Sequence, residues 1–398
     1  MLETAISHPS ANTALCLSVS SLSLHHFRNY ESACIEVDAS PVVLTGPNGS
    51  GKTNILEALS LLTPGRGLRR ARLSEMDLIT SPLRREGLAW IISAQINGLC
   101  GPAQIGTMRV EEEGVDKRLV KIDGKPVSHT QLGNHLAMLW LTPQMEQLFL
   151  EGASAGRRFL DRLVYGFDPA HAARISEYEY TMRERNKLLQ TGGGDAAWLD
   201  ALEQTMAETS SAIAAARLQA AEGINHAMQT MRASFPKAQL AVDGMMENYL
   251  LAGEAAIVAE EALKETLARE RAQDAAAGRA LTGVHRSNFR VFYVEKQLSA
   301  EACSTGEQKA LLLSIILSQA RAATLKKGIV PVLLFDEIAS HLDAIRRLEL
   351  FEEICQIGAQ TWMTGTDEKL FGDLKGKATF FNVENGNVIP AKAGIQKK

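Results

Sequence analysis

One glycine-rich octapeptide constrains the fold of this 398-residue chain more than any other stretch. It reads Gly46-Pro47-Asn48-Gly49-Ser50-Gly51-Lys52-Thr53. It matches the pattern G-x-x-x-x-G-K-[ST] and lies between an apolar run at 42–44 and a helical pattern at 54–62, as a phosphate-binding loop requires. In such a loop, backbone N–H groups and the helix N-terminus hold phosphate oxygens. We expect Lys52 to reach the β- and γ-phosphates and the Thr53 hydroxyl to bind Mg²⁺, which predicts a nucleotide-binding α/β domain.

A pair of acidic residues follows an apolar run far from the octapeptide in sequence. The run at 332–335 predicts a buried strand, and Asp336 and Glu337 come directly after it. Ligands of doubly wound sheets bind at the carboxyl ends of the strands. We expect Asp336 to orient Mg²⁺ or its bound water and Glu337 to activate the attacking water. An isolated match of this kind is commonly a strand end that happens to carry acids, so its weight depends on the octapeptide.

A third motif precedes a helical pattern at 309–323. The segment is Ser304-Thr305-Gly306-Glu307-Gln308, which by itself predicts only a helix N-cap. Beside the other two motifs it resembles the signature sequence of ABC-type ATPases, and the segment at 340–343 resembles their D-loop. The resemblance implies that the Ser304 hydroxyl and the Gly306 N–H contact a γ-phosphate held by the opposite subunit. Four motifs in this order are more specific than any one of them.

Secondary-structure patterns divide the chain into three parts. We predict an α/β fold, an ABC-type ATPase head with a mixed sheet and a P-loop, formed by residues 1–140 and 281–398, with a mainly helical lobe inserted at 141–280. Continuous apolar strands that alternate with helices in the last part indicate a parallel sheet covered on both faces. In the lobe, an apolar stripe at helical spacing predicts a long amphipathic helix. The stripe comprises Trp198, Leu202, Met206, Ile213, Ala216, Ala220, Ile224 and Met228.

Composition excludes several classes of protein. Lysine and arginine total 42 against 46 acidic residues, a net charge of −4, so nucleic acid would have to be held by a local patch rather than by bulk charge. The five cysteines are scattered without a C-x-x-C pair, which argues against a disulfide framework or a zinc site. No basic residue precedes Arg28, and the most apolar run, at 310–317, is too short to span a bilayer. We therefore expect a soluble, cytoplasmic protein with no membrane partner.

From about residue 17 to residue 387, the chain resembles the RecF family of bacterial recombination mediator proteins. The residues that carry the resemblance are Phe27-Arg28-Asn29-Tyr30, the octapeptide with its continuation Asn54-Ile55-Leu56-Glu57-Ala58, Arg157-Arg158-Phe159-Leu160-Asp161, the signature segment, Asp336 and Asp343. RecF proteins are similar to the head domains of SMC-type ATPases but carry a short helical lobe in place of a long coiled coil. That agrees with the long gap between Thr53 and Ser304.

The family resemblance implies a function as well as a fold. It implies ATP and Mg²⁺ as cofactors, an ATP-dependent homodimer, and weak, DNA-stimulated ATP hydrolysis that opens the dimer, without nuclease activity. It also implies binding to single-stranded, gapped and junction DNA, help in loading a recombinase, and RecR-type and RecO-type partners in replication, DNA repair and the SOS response. The catalytic residues would be Lys52 and Glu337, the metal ligands Thr53 and Asp336, and the nucleotide contacts residues 46–53 with Ser304 and Gly306.

Two further site positions stay open on the sequence. Gln144 is a candidate for the Q-loop residue, and the alternative is that it has no such role. After the strand pattern at 361–364, where a transporter ATPase would have its switch histidine, this chain offers Thr364 or Thr366. The segment at 283–287 departs from the Gly-Pro-His-Arg-Asp that RecF proteins often show, so no role is carried onto it.

Two basic clusters are candidates for DNA contacts. The first is Arg66, Arg69, Arg70 and Arg72, just after the P-loop helix. The second, on a predicted hairpin, is Lys117, Arg118, Lys121 and Lys125. Phosphate contacts need such clusters and make affinity fall with salt. The alternative for each cluster is a solvated segment that binds nothing.

Two other functions compete with a DNA-binding ATPase. An ABC transporter-like subunit would need a shorter gap between P-loop and signature, a switch histidine and a membrane partner. A non-hydrolysing nucleotide-dependent scaffold would need a degenerate site, whereas Lys52, Thr53, Asp336 and Glu337 are all present. Measured ATP turnover separates this last alternative from an ATPase.

Overall fold

A computed structural model describes residues 14–78, 89–191, 195–231 and 235–391. The strands in chain order are β1 (Leu15–Cys16), β2 (Ser18–Phe27), β3 (Tyr30–Glu36), β4 (Val42–Thr45), β5 (Ile91–Gly98), β6 (Gly101–Glu112), β7 (Val115–Ile122), β8 (Lys125–Val127), β9 (Met138–Leu141), β10 (Ala238–Asp243), β11 (Asn288–Tyr293), β12 (Leu298–Ser299), β13 (Ile329–Val330), β14 (Val332–Phe335), β15 (Thr361–Gly365), β16 (Thr379–Glu384) and β17 (Asn387–Pro390). The helices are α1 (Lys52–Ser60), α2 (Ala153–Tyr165), α3 (His171–Thr191), α4 (Ala196–Met228), α5 (Met245–Leu251), α6 (Ala256–Arg269), α7 (Arg271–Ala277), α8 (Thr305–Lys327) and α9 (Ala344–Ile357).

A six-stranded sheet carries the motifs at its carboxyl edge. Its order is β17-β16-β4-β15-β14-β9, and all its pairings are parallel except that of the edge strand β17. Strands β4, β14 and β15 are buried throughout, as expected for a parallel sheet covered on both faces. Because β15 lies between β4 and β14, the ends of these three strands are neighbours. The predicted α/β fold with a mixed sheet is confirmed.

The two faces of this sheet belong to two different hydrophobic cores. On one face, Val42 and Leu44 share a core with Leu56 of α1 and with a second, antiparallel sheet of order β3-β2-β5-β6-β7-β8. On the other face, Val43 and Leu333 share a core with α2, α8, α9 and the second half of α4. The alternation along each strand follows from the two-residue period of side-chain direction in a strand. Helix α1 is therefore held between two sheets.

The lobe has a small core of its own, formed by α3, α4, α5 and α6. The long helix predicted from the apolar stripe is α4, which has 33 residues. The predicted start of the apolar stripe is wrong, because Trp198 is 60% exposed. The buried residues of the stripe begin with Met206. Strand β10 falls inside the range predicted as lobe and pairs with β11, which lies beyond residue 280. The division at 140 and 280 stays a prediction.

The apolar segment that leads to the acidic pair forms two strands. The apolar segment 329–335 is interrupted at Pro331, and β13 pairs with β1 while β14 pairs with β9 and β15. Proline has no N–H to donate to a ladder, so pairing with a new partner begins after it.

Within the described ranges, no helix combines the length and the apolar character that crossing a bilayer requires.

A buried arginine is the electrostatic centre of the lobe. Arg185 on α3 donates to Glu203 Oε1 at 2.9 Å, to Asp274 Oδ2 at 2.7 Å and to the Leu267 carbonyl at 2.7 Å. The side chains of Arg185, Glu203 and Asp274 are fully buried. These contacts join α3, α4, α6 and α7, so the lobe depends on this guanidinium together with that of Arg271, which also binds Glu203.

Substitution of this arginine tests the dependence. Arg185→Leu should lower the free energy of unfolding by about 3–5 kcal/mol, because it leaves two buried carboxylates without their common partner. Arg269→Leu, on the exposed end of α6, is the matched control and should change it by less than about 0.5 kcal/mol. Urea unfolding measures both. Equal losses in the two variants would show that the buried network contributes nothing specific.

Candidate functional site

The octapeptide forms a tight loop between β4 and α1. Gly46, Gly49 and Gly51 have φ of +146°, +79° and +112°, in the region that favours glycine. A Cβ on Gly46 would lie 2.2 Å from the Val383 carbonyl oxygen, and one on Gly51 would lie 2.5 Å from Nδ2 of Asn29. Both neighbours come from other strands or turns of the head. The loop therefore needs glycine for its backbone conformation and for close packing.

Lys52 is folded back onto this loop. Its Nζ donates to the carbonyls of Gly46 at 2.8 Å and Pro47 at 2.7 Å, and the residue is only 5% exposed. Burial lowers the pKa of Lys52, and the negative charges of Glu337 and Asp336 oppose that shift. The ammonium thus lies near both acids that the sequence assigns to the site.

Asp336, which directly follows β14, binds one residue of α1 and one of β15. Its Oδ1 accepts hydrogen bonds from Thr53 Oγ1 at 2.9 Å and from Thr364 Oγ1 at 2.7 Å. Burial raises the pKa of Asp336, and the two hydroxyl hydrogen bonds oppose that shift. Hydroxyl and carboxylate oxygens are the ligands that Mg²⁺ prefers, so this donor set fits the metal that the sequence predicts at Thr53 and Asp336.

Glu337 has an unusual backbone conformation. Its φ is +54°, in the left-handed region that residues other than glycine rarely adopt, at a cost of about 1–2 kcal/mol. Its N–H donates to Thr364 Oγ1 at 2.9 Å, so one threonine holds both acids. The sequence left Thr364 and Thr366 as alternatives, and it is Thr364 that contacts the acidic pair. Gln144 is exposed in the short helix 143–147 that follows β9.

The signature segment lies at the start of α8. Ser304 and Gly306 are exposed, and the Ser304 N–H and hydroxyl both donate to Glu307 Oε2 at 2.9 Å. These hydrogen bonds stay within the segment and do not involve the octapeptide. That arrangement is compatible with a signature that acts on another subunit.

Sequence reasoning gave no role to a buried carboxylate on α1. Glu57 is fully buried, and Arg28 binds both of its oxygens, at 2.7 and 2.9 Å. Arg69 binds Glu57 Oε2 at 2.8 Å and Asn54 Oδ1 at 2.6 Å. The side chain of Asn29 links Asn54 to the Ser50 carbonyl. The signals in the sequence were the Phe-Arg-Asn-Tyr turn and the segment 54–58, and neither indicates that the two are bonded to each other.

The structure changes the interpretation of both basic clusters. Arg66, Arg69, Arg70 and Arg72 are exposed, but Arg69 is bound to Glu57. Partial burial lowers the pKa of Arg70, as do the positive charges of Arg158 and Arg66, which places Arg158 of α2 beside the first cluster.

Arg118 does not fit the second cluster as a phosphate contact. Its guanidinium donates to the carbonyls of Leu61 and Gly65 and to Thr107 Oγ1, and burial lowers its pKa to about 10. It therefore caps the end of α1, and its assignment as a free phosphate contact is wrong. Lys117 is exposed and forms an ion pair with Glu112 at 2.6 Å.

Comparison with known proteins supplies the family. A family model described as the RecF/RecN/SMC N terminal domain matches residues 18–388. The DNA replication and repair protein RecF of Allorhizobium ampelinum is 46% identical over 376 residues, which cover 93% of this chain and 98% of that protein.

Solved structures resemble the whole chain. The recombination mediator protein RecF with ATP, of the RecFOR pathway, has a TM-score of 0.80 at 20% identity, covering 96% of this chain and 100% of that one. An SMC head bound to the winged-helix domain of ScpA has a TM-score of 0.55 at 14% identity, covering 95% and 98%. At these identities, the likeness shows the fold alone.

The contacts of Thr364 predict a role in holding the metal carboxylate. Thr364→Val should raise the Mg²⁺ concentration needed for tight nucleotide binding by about 10-fold or more, because groups that orient a ligand contribute on that scale to metal affinity. Thr364→Ser keeps the hydroxyl and is the matched control. Nucleotide affinity measured across a Mg²⁺ titration distinguishes them, and equal midpoints for both variants would contradict the assignment.

Proposed function

Because the chain belongs to the RecF family, within the RecF/RecN/SMC N-terminal domain proteins, we propose that it is an ATP-dependent DNA-binding protein of recombinational repair and replication. Its fold is that of an ABC/SMC-type ATPase head. One observation carries the proposal beyond the fold: Thr53 and Asp336, which are 283 positions apart, share a hydrogen bond beside Lys52. A phosphate-binding loop and an acidic strand end are thereby joined in one site.

The nucleotide in this proposal is ATP with Mg²⁺. Backbone N–H groups of residues 46–53 would hold the phosphates, and Lys52 would leave the carbonyls of Gly46 and Pro47 for the β- and γ-phosphates. Thr53 and Asp336 would hold Mg²⁺, which neutralises charge on the phosphates. The buried, hydroxyl-bonded state of Asp336 supports this role, because it keeps the carboxylate in place before the metal arrives.

Hydrolysis in this proposal depends on Glu337. Its carboxylate would accept a proton from the attacking water, and its backbone is held by Thr364. We infer slow ATP turnover, stimulated by DNA and coupled to dimer opening, without nuclease activity.

Dimerisation in this proposal follows from the exposure of the signature. Ser304 and Gly306 would contact the γ-phosphate bound by the opposite subunit, so that only ATP closes the dimer. A ligand shifts an equilibrium only by its differential affinity for the two states, and ADP lacks the bridging phosphate.

DNA in this proposal is held by the arginines beside α1 and α2. Arg66, Arg70 and Arg72 are exposed on the segment after α1, and Arg158 lies close to Arg70. We infer binding to single-stranded, gapped and junction DNA in the closed dimer, with recombinase loading assisted by RecR-type and RecO-type proteins in the cytoplasm. A transporter-like subunit is disfavoured because no histidine follows the strand at 361–364, where such a subunit would have its switch histidine.

Sizing the protein with different nucleotides tests the proposed mechanism. Wild-type protein should dimerise with ATP and not with ADP, and Lys52→Ala should abolish tight nucleotide binding. Glu337→Gln should keep nucleotide binding and prolong the dimer, because hydrolysis is slowed. Sedimentation and an ATPase assay measure these properties. The same dimer fraction with ATP, ADP and no nucleotide would exclude the mechanism, and normal turnover by Glu337→Gln would exclude the base.

Triple substitution of the exposed arginines that do not bind Glu57 tests the DNA surface. Changing Arg66, Arg70 and Arg72 together to Ala should weaken DNA binding. It should also reduce the slope of log affinity against log salt concentration by about 0.9 for each phosphate contact that is lost. Arg69 is left intact so that Glu57 keeps both of its partners. Replacement of Arg183, Arg269 and Arg279, which are exposed on the lobe, controls for net charge. Equal salt slopes for the two triple variants would reduce the cluster to a solvated segment.

A further inference from the structure

The hairpin that leads into α8 brings a cation to the signature. Strands β11 and β12 pair through Tyr293 and Leu298, and Lys296 lies in the turn between them. The Lys296 ammonium contacts Oε1 of Glu307 and lies 5.8 Å from the centroid of the Tyr293 ring. The other Glu307 oxygen accepts both hydrogen bonds of Ser304. A single carboxylate thus joins the hairpin turn to the signature serine.

This carboxylate has an electrostatic consequence for a γ-phosphate at Ser304. The Ser304 hydroxyl proton is already donated to Glu307, at 2.9 Å. A phosphate oxygen within hydrogen-bonding reach of Ser304 Oγ would lie within two hydrogen-bond lengths of the Glu307 carboxylate. Negative charges at that separation repel each other strongly. The contacts with Lys296 and Ser304 lower the pKa of Glu307 to about 2, so protonation of the carboxylate near neutral pH does not remove the repulsion.

We propose that Lys296 is a positioning residue of the signature, which neutralises Glu307 so that Ser304 can donate to the γ-phosphate held by the partner subunit. The inference rests on the proposed function and deepens it. In this arrangement Lys296 acts through Glu307 and touches neither the nucleotide nor the reacting atoms. The hairpin turn therefore belongs to the dimer interface although it is not part of any of the sequence motifs.

A double-mutant cycle separates this role from two simpler ones. The variants are Lys296→Ala, Glu307→Gln and the two combined, and Arg290→Ala is the matched control. Arg290 is on β11, the strand that leads into the turn with Lys296, and it forms an exposed ion pair with Asp243 at 3.1 Å; that carboxylate is not bonded to Ser304. The measurements are the dimer dissociation constant with ATPγS and Mg²⁺, the affinity of each variant for the nucleotide, and the melting temperature.

The expected result is a defect in closure alone. Lys296→Ala should weaken the dimer by about tenfold, because two signatures in each dimer lose a neutralising charge. Its nucleotide affinity and melting temperature should match those of Arg290→Ala, which should dimerise like the wild type. In the Glu307→Gln background, Lys296→Ala should have no further effect, since no carboxylate remains to be neutralised.

Four outcomes would overturn the inference. A Lys296→Ala defect that persists undiminished in the Glu307→Gln background would mean that the lysine contacts the phosphate directly. If Lys296→Ala lowered the melting temperature together with dimer affinity, and Arg290→Ala did not, the ion pair would only stabilise the hairpin. If Lys296→Ala dimerised as tightly as the wild type, the inference would be refuted and the proposed function would stand. If the wild-type chain itself stayed monomeric with ATPγS, both would be refuted.

Discussion

The parallel pairing of β4, β15 and β14 is the constraint on which the candidate site depends. Each of these strands ends at a different functional group: the octapeptide after β4, Thr364 on β15 and Asp336 after β14. A buried carboxylate is costly unless it is hydrogen-bonded, and Thr53 of α1 and Thr364 of β15 supply two hydroxyls to one oxygen. Because side chains alternate along a strand, a slip of one residue in β15 would turn Thr364 to the other face. The chemistry of the site is therefore a matter of strand register.

The antiparallel sheet holds the P-loop helix at two points, one in its second half and one just beyond its last residue. The turn between β2 and β3 supplies Arg28, which binds the buried Glu57 through both oxygens. Strand β7 supplies Arg118, which donates to carbonyls at the end of α1 and just beyond it. Arginine suits both roles, because its fork of donors matches a carboxylate or two neighbouring carbonyls. Several cations near the nucleotide site thus serve the helix rather than a ligand.

Much of this could be predicted from sequence where the signal is local. The octapeptide, the acidic strand end and the apolar stripe each depend on neighbours in the chain, and the structure contains the corresponding loop, strand end and helix. What could not be predicted depends on distant contacts. Nothing near Arg69 in sequence indicates that it will bind Glu57. Nothing near Arg118 indicates that it will donate to the Leu61 carbonyl. Likewise, the exposure of Trp198 follows from where the lobe core begins, which periodicity does not determine.

Helix α4 belongs to two cores at once. Met206 and Ile213 are buried in the lobe, while Ala220, Ile224 and Met228 are buried against the head. With 33 residues and a rise of about 1.5 Å per residue, the helix is about 50 Å long and has no break between these two segments. Unfolding of the lobe would expose apolar side chains of the head that pack against α4. Unfolding of the head would leave half of the helix without a core. The two parts should therefore melt in a single cooperative transition, although the chain threads them as an insertion within a split domain.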